Sequence, residues 1–197
     1  MTAYILGNGG HAHVVLSFLD RDDVRFVGLD KNHSDDILFP DFIENICGPE
    51  IAIFMGIGDN AVRRNVFETI RAANGRLSNC IAPNAFIAKT AEIGEGAFIG
   101  AGAIIGSRAR LGINCIVNSL SSVDHDCILG DHSQVTGGVT FGGTVKTGER
   151  CFFGLRSCIL PRITIGNGVT VMAGSVVTRD LPDGVTAGGY PARIARS

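Results

Sequence analysis

The sequence predicts a small α/β unit over residues 1–82 followed by a parallel β-helix over residues 83–197. Three observations carry this. An apolar residue recurs every six positions from Ile87 to Val177. Glycine makes up 27 of 197 residues without collagen's three-residue period, and a short apolar strand near the start runs into a Gly-rich turn.

In the first unit, AYILGNGGHA reads as that strand and turn, with HVVLSFL as the helix behind it. RFVGLD is a second strand, IAIFMGIG a third, and DNAVRRNVFETIRAAN a helix with apolar residues at helical spacing. The result is a βαβαβ unit, a Rossmann-like half domain. One mononucleotide-binding half fits in about 80 residues, whereas a dinucleotide fold or a nucleotidyltransferase domain needs more.

From Ile87 the period of six never slips: fifteen of the sixteen positions are large and apolar, and only Thr147 departs. Glycine follows nine of them, and the residue four past each is small or β-branched, as at Ala97, Ala103, Cys115, Ser121, Cys127 and Cys151. Six matches neither a helix of 3.6 nor an alternating strand of two. It fits hexads that each supply one short strand and one corner, three to a triangular coil of eighteen residues. The large and small positions point inward, and the pair two and three past the large one forms the corner. This makes roughly five coils and a prism about 25 Å tall at strand spacing.

Composition excludes several classes. Seventeen Lys and Arg against nineteen Asp and Glu give a net charge of −2, with no run of like charge, so nucleic acid and anionic membranes are not expected partners. No apolar run is long enough to span a bilayer, and the N-terminus does not read as a signal peptide, so a cytoplasmic location is expected. Six cysteines without a CxxC pair read as thiols.

Two stretches carry chemistry. In GNGGHA, the bare backbone at Gly7, Gly9 and Gly10 allows amides to approach a phosphate, and Asp30 follows about 20 residues later, where a ribose or base would lie. A tight turn that only packs helix on strand has the same composition. In NSLSSVDHDCILGDHSQV, the corner pair is His125 and Asp126, with Asp124 before it. An imidazole oriented by a carboxylate suits general-base work, and an exposed polar corner is the plain alternative. Corners are where neighbouring prisms meet, so the site is expected between subunits of a homotrimer. Adding eighteen to 125 gives Gly143, whose amide, in a Gly-Gly corner, is free either to serve an oxyanion or merely to pack. No metal is expected: a catalytic zinc takes three protein ligands, and the helix offers only His125 and His132. Cys115, Cys127 and Cys151 fall on inward positions, and Cys158 faces out without a partner motif.

GNGGHAHVV, GIGDNAVRR, NSLSSVDHD and GGYPARIA, in that order along essentially the whole chain, resemble the bacterial sugar acyltransferases that include bacillosamine and perosamine N-acetyltransferases and sialic acid O-acetyltransferases. The resemblance implies a left-handed β-helix and direct transfer of acetyl from acetyl-CoA, the co-substrate, to the amino group of a UDP-, GDP- or dTDP-linked 4-amino sugar. It implies His125 as base, Asp126 as its orienting acid, and Asn118 as an acceptor contact. Gly7, Gly9, Gly10, His11, Asp30 and Gly58 are assigned to the nucleotide sugar, and Gly143, Leu155, Gly174, Pro191 and Arg193 to CoA. O-acetylation of a sugar hydroxyl and a non-catalytic nucleotide-sugar-binding trimer are the alternatives. One departure is His13, where many relatives carry Lys or Arg; Arg63 and Arg64 are candidates for the missing charge, or are solvated helix residues.

Overall fold

The computed structural model describes residues 2–29 and 36–195, which leaves Asp30 outside the described residues. The chain divides into two compact units, Met1–Cys80 and Ile81–Ser197.

The first unit runs β1 (Ala3–Leu6), α1 (Gly10–Leu16), β2 (Val24–Gly28), β3 (Ile37–Leu38), α2 (Phe39–Asn45), β4 (Ala52–Met55), α3 (Asn60–Ala72). Its four parallel strands lie in the order β3-β2-β1-β4. β1 is therefore central, and Ala3, Ile5 and Leu6 are fully buried. The chain leaves β1 to one side for β2 and β3 and returns on the other as β4, so the turn after β1 sits at the point where strand order reverses. α3 is capped by Asp59, whose carboxylate accepts from the Ala61 and Val62 amides. β3 and α2 were not expected. A two-residue strand shows no alternation, and α2 buries only Phe42. α1 also begins earlier than its apolar residues suggest, at Gly10.

In the second unit two-residue strands stack with an offset of eighteen, as in Ile116 on Gln134 and Ser122 on Thr140. They build sheets of eight, six and five strands, parallel except for a closing antiparallel pair, Thr186–Gly189 with Ala192–Ile194. The register holds to Val176–Val177 and then shortens, so that Thr186 pairs with Thr170. The inward positions are buried as expected from Ala97 on, while Ile87, Ala91 and Ile93 of the first coil are partly buried, and Phe141 and Phe153 meet edge to face at 4.8 Å. Burying such a ring contributes roughly 1.5–3 kcal/mol.

Most polar exceptions inside the prism are satisfied, while the buried Ser157 Oγ meets no partner among the described residues. Thr147, the one hexad out of pattern, accepts from the Gly130 amide at 3.2 Å and donates to the Gly148 carbonyl at 3.2 Å. The small inward residues also act as donors. Ser121, Cys127 and Cys151 give their O–H or S–H to carbonyls of the next coil, those of Thr136, Gly142 and Gly166, at 2.7, 3.2 and 3.1 Å. These carbonyls face the core, and a small donor side chain spares them burial without a partner. Burial raises the thiol pKa of Cys127 and Cys151, keeping them protonated for this task.

Every corner turns the same way. The residue three past the large apolar one has positive φ at all fourteen corners from Gly96 to Gly174, including Arg108, Leu120, Asp126 and His132. Non-glycine residues accept this strain because the neighbouring coil holds them: Asp126 N–H donates to Ser107 O, and Thr144 N–H to His125 O, each at 2.9 Å. Three edges result. The first carries residues 113–114, 131–132 and 149–150, the second 119–120, 137–138 and 155–156, and the third 107–108, 125–126 and 143–144.

Candidate active site

In the first unit a cavity of about 440 Å³ opens at the carboxyl ends of β1, β2 and β4, lined by Gly7 to His11, Gly28, Leu29, Asp36 and Gly56 to Gly58. Gly7 makes the turn at φ 90°. A Cβ at Gly9 or Gly10 would meet nothing within 4 Å, so both present open backbone. Burial first, and Arg63 second, hold His11 at a pKa of about 4, so its imidazole is neutral. Arg63 is fully buried rather than solvated, and its Nη1 donates to the Gly58 carbonyl of the cavity wall at 3.1 Å. His13 lies against Phe26, ring centroids 5.1 Å apart. The sequence reading missed Asn8 and Asp36, whose amide and carboxylate meet at 3.0 Å on the cavity wall.

On the third edge of the β-helix, a Cβ at Gly106 would meet His125 N at 2.6 Å, so glycine there lets the coil bearing His125 settle. The Asp124 carboxylate accepts from the His125 amide at 2.7 Å and fixes the bend. His125 Nδ1 stands 2.8 Å from Asp126 Oδ2. Asp126 is held ionised, at a pKa of about 2, first by the Arg108 hydrogen bond and then by His125. An ionised carboxylate only accepts, so Nδ1 carries the proton, and in the neutral ring the lone pair falls to Nε2. The ring lies over Gly143, where a Cβ would overlap Nε2 and Cε1. Some corner amides receive side-chain caps from the next coil, Ile113 from Asp131 and Glu149 from Asn167. Gly143 N–H has no such partner among the described residues, and the residue eighteen further on is Pro161, which has no side chain able to cap it. A base with a free lone pair and an unoccupied donor thus share one edge.

The remaining candidates lie elsewhere. Asn118, Leu155 and Gly174 belong to the second edge, and Asn118 Oδ1 accepts from the Ser119 amide at 2.7 Å. Pro191 and Arg193 lie on the closing hairpin, which extends the sheet leading into that edge. Within one chain, a side of the triangle separates them from His125. His132 is buried on the first edge, with Asn114 Nδ2 at 2.9 Å from Nδ1. Among the described residues, no three His, Cys, Asp or Glu gather to hold a metal, and no helix is long and apolar enough to cross a membrane.

Hexad coils bearing an acid-held imidazole, following in sequence an α/β unit with a cavity at its strand-order reversal, are the arrangement expected of an acyltransferase. Residues 2–70 match the PglD N-terminal domain, and residues 144–179 the hexapeptide repeat of succinyl-transferase. The acetyltransferase domain of PglB from Neisseria gonorrhoeae is similar at 31% identity and a TM-score of 0.91, covering 98% of this chain and 99% of that one; it has also been solved with acetyl coenzyme A. A histidine-to-alanine mutant of GDP-perosamine N-acetyltransferase from Caulobacter crescentus, in complex with CoA and GDP-perosamine, is similar at 32% identity and a TM-score of 0.91, over 100% of this chain and 98% of that one. Among curated sequences, the putative acetyltransferase YvoF of Bacillus subtilis is 44% identical over 26% of this chain, and the match spans 30% of YvoF. The chain belongs to the PglD-type family of sugar acyltransferases and is an acetyltransferase.

Proposed function

We propose that the protein transfers acetyl from acetyl-CoA directly to the amino group of a nucleotide-linked 4-amino sugar. The observation that carries this reading is the third edge, where Nε2 of the Asp126-held imidazole lies beside the uncapped Gly143 amide. The amine nitrogen attacks the thioester carbon and gives its proton to His125 Nε2. The carbonyl oxygen takes up negative charge against the Gly143 N–H. As the tetrahedral species collapses, the C–S bond breaks and the imidazolium returns the proton to the leaving thiolate. No hydroxyl or thiol hydrogen-bonds to His125 among the described residues, so no acyl-enzyme is invoked. The ligands named for the Caulobacter enzyme and the Neisseria domain support this donor and this class of acceptor. Six free thiols fit a reducing cytoplasm.

The nucleotide belongs to the first unit's cavity, whose place at the strand ends and open Gly9 and Gly10 backbone suit it. Gly10→Val would fill open cavity space without meeting the fold. The nucleotide sugar's affinity is therefore expected to fall at least tenfold while acetyl-CoA affinity stays near the parent's, as read by calorimetry on a variant whose circular dichroism matches the parent. Loss of acetyl-CoA binding alone would reassign the unit to the donor.

Asn118, Leu155, Gly174, Pro191 and Arg193 serve the acceptor and CoA from the second edge of one copy against the third edge of another. Since one chain keeps these edges a side apart, at most about 20 Å for six extended residues, a homotrimer with sites between subunits unites them. Light scattering should give three times the 20.7 kDa chain mass; an active monomer would refute it. The reaction itself is tested by offering UDP-, GDP- and dTDP-linked 4-amino sugars with acetyl-CoA and following free thiol. Release with none of them, or only with a hydroxyl acceptor, overturns the reading.

A further inference from the structure

Arg108 was not among the expected site residues, yet it grips the acid of the candidate site. Its Nε is 2.7 Å from Asp126 Oδ1 and its Nη2 is 2.8 Å from Oδ2, the oxygen that also faces His125 Nδ1. It comes from one coil earlier on the same edge, and its amide is held by Thr90 Oγ1 at 3.1 Å. The Arg110–Glu92 and Arg150–Glu149 pairs come to 3.5 and 2.8 Å, and Arg108 forks onto both oxygens of its partner at 2.7 and 2.8 Å. The Arg108 side chain is 67% exposed, and an exposed ion pair adds little to stability, so its meaning lies in what the carboxylate does next.

Resting on the reading of His125 as base, we propose that Arg108 is a positioning residue of acetyl transfer: it locks the Asp126 carboxylate in the plane that meets Nδ1 and shares its negative charge, so that His125 keeps its Nε2 lone pair in more acid solution. A carboxylate held by the imidazole alone would fix the tautomer but would also favour the imidazolium, which is useless as a base. The guanidinium opposes that form twice, by drawing charge from Oδ2 and by its own repulsion. The other groups facing His125 are Asp124 and Asp126 on its own coil, and the uncharged Gly143 and Thr144 on the next. Arg162, whose amide donates to Gly143 O, follows one coil further. Asp124 pulls toward the imidazolium, so Arg108 is the cation that balances two acids.

The test follows the imidazole itself. Histidine NMR titration, with the His125 signal assigned by its loss in His125→Ala, is run on the full chain for the parent, Arg108→Met and Arg108→Lys. The pH profile of kcat/KM is measured for the same three proteins. In Arg108→Met, which removes a cation beside the ring, the His125 midpoint is expected to rise, with the acid limb of the profile moving in step. The rate one unit below the parent's midpoint should fall roughly three- to tenfold. Arg108→Lys, with charge but no fork, should fall between. An unmoved midpoint, or a loss equal at all pH, overturns the proposal and leaves a structural role. A midpoint that moves while the limb stays overturns His125 as base and, with it, any bearing of Arg108 on transfer.

Discussion

His125→Ala is expected to lower kcat by about 10²- to 10⁴-fold, the range for a positioned general base, with little change in the affinity for acetyl-CoA. The side chain is 54% exposed and holds no part of the core, so its removal leaves the coil standing. What disappears is the only nitrogen lone pair on that edge with an oriented ring behind it. Activity should recover in part above the pKa of the acceptor's ammonium group, where the amine is already free and needs no base before attack. Single-turnover thiol release across pH reads this directly. A variant within a few-fold of the parent at neutral pH would remove His125 from the mechanism.

Gly143→Ala should cost about 10²- to 10³-fold by misplacing the same ring. Gly143 has an ordinary backbone φ, and alanine keeps the amide donor, so neither strain nor a lost hydrogen bond enters. The added methyl occupies the space of Nε2 and Cε1, and the imidazole must swing away from Asp126, from the thioester, or from both. Displacement of about 1 Å is enough for losses of this size. The sharper reading is a double-mutant cycle. In the His125→Ala background, Gly143→Ala should cost almost nothing further, because its effect runs through the ring. Additive losses would mean that Gly143 acts on the donor independently of His125.

Much of the second unit was legible in its sequence because a period of six states both which residues face inward and which lie eighteen apart in space. The corner pair of His125 and Asp126 and the glycine stacked on it came from that arithmetic, and the expectation that His125 is a base came with the family resemblance. Arg108 did not, although it obeys the same offset from Asp126: an arginine on a corner looks like any solvated residue until its fork is seen to close on a carboxylate. In the first unit the Gly-rich turn announced the cavity, but Asn8 and Asp36, 28 residues apart, carry no periodic signal of their meeting. Between the two readings of Arg63 the sequence could not choose, because helical spacing marks apolar residues as inward and says nothing of a guanidinium that turns in to reach a backbone carbonyl. The separation of Asn118 and Leu155 from His125 by one side of the triangle was implicit in the hexads, and only the assembled edges make it plain.

The stacked corners limit how such a protein can change its length. Each strand finds its partner eighteen residues away, and each left-handed corner residue is held by the corner before it. Losing one residue inside a coil would turn every later inward side chain toward a different direction until the count was restored. Change of length is therefore quantised: whole coils can be gained or lost, or a loop can bulge from a corner, with little between. Chemistry, by contrast, is freer to vary at corners whose side chains stand outside the core, as those of Arg108 and His125 do. A histidine, an aspartate or an arginine can be exchanged there one codon at a time, and the edge becomes a row of addresses on which a catalytic site is written without rebuilding the prism.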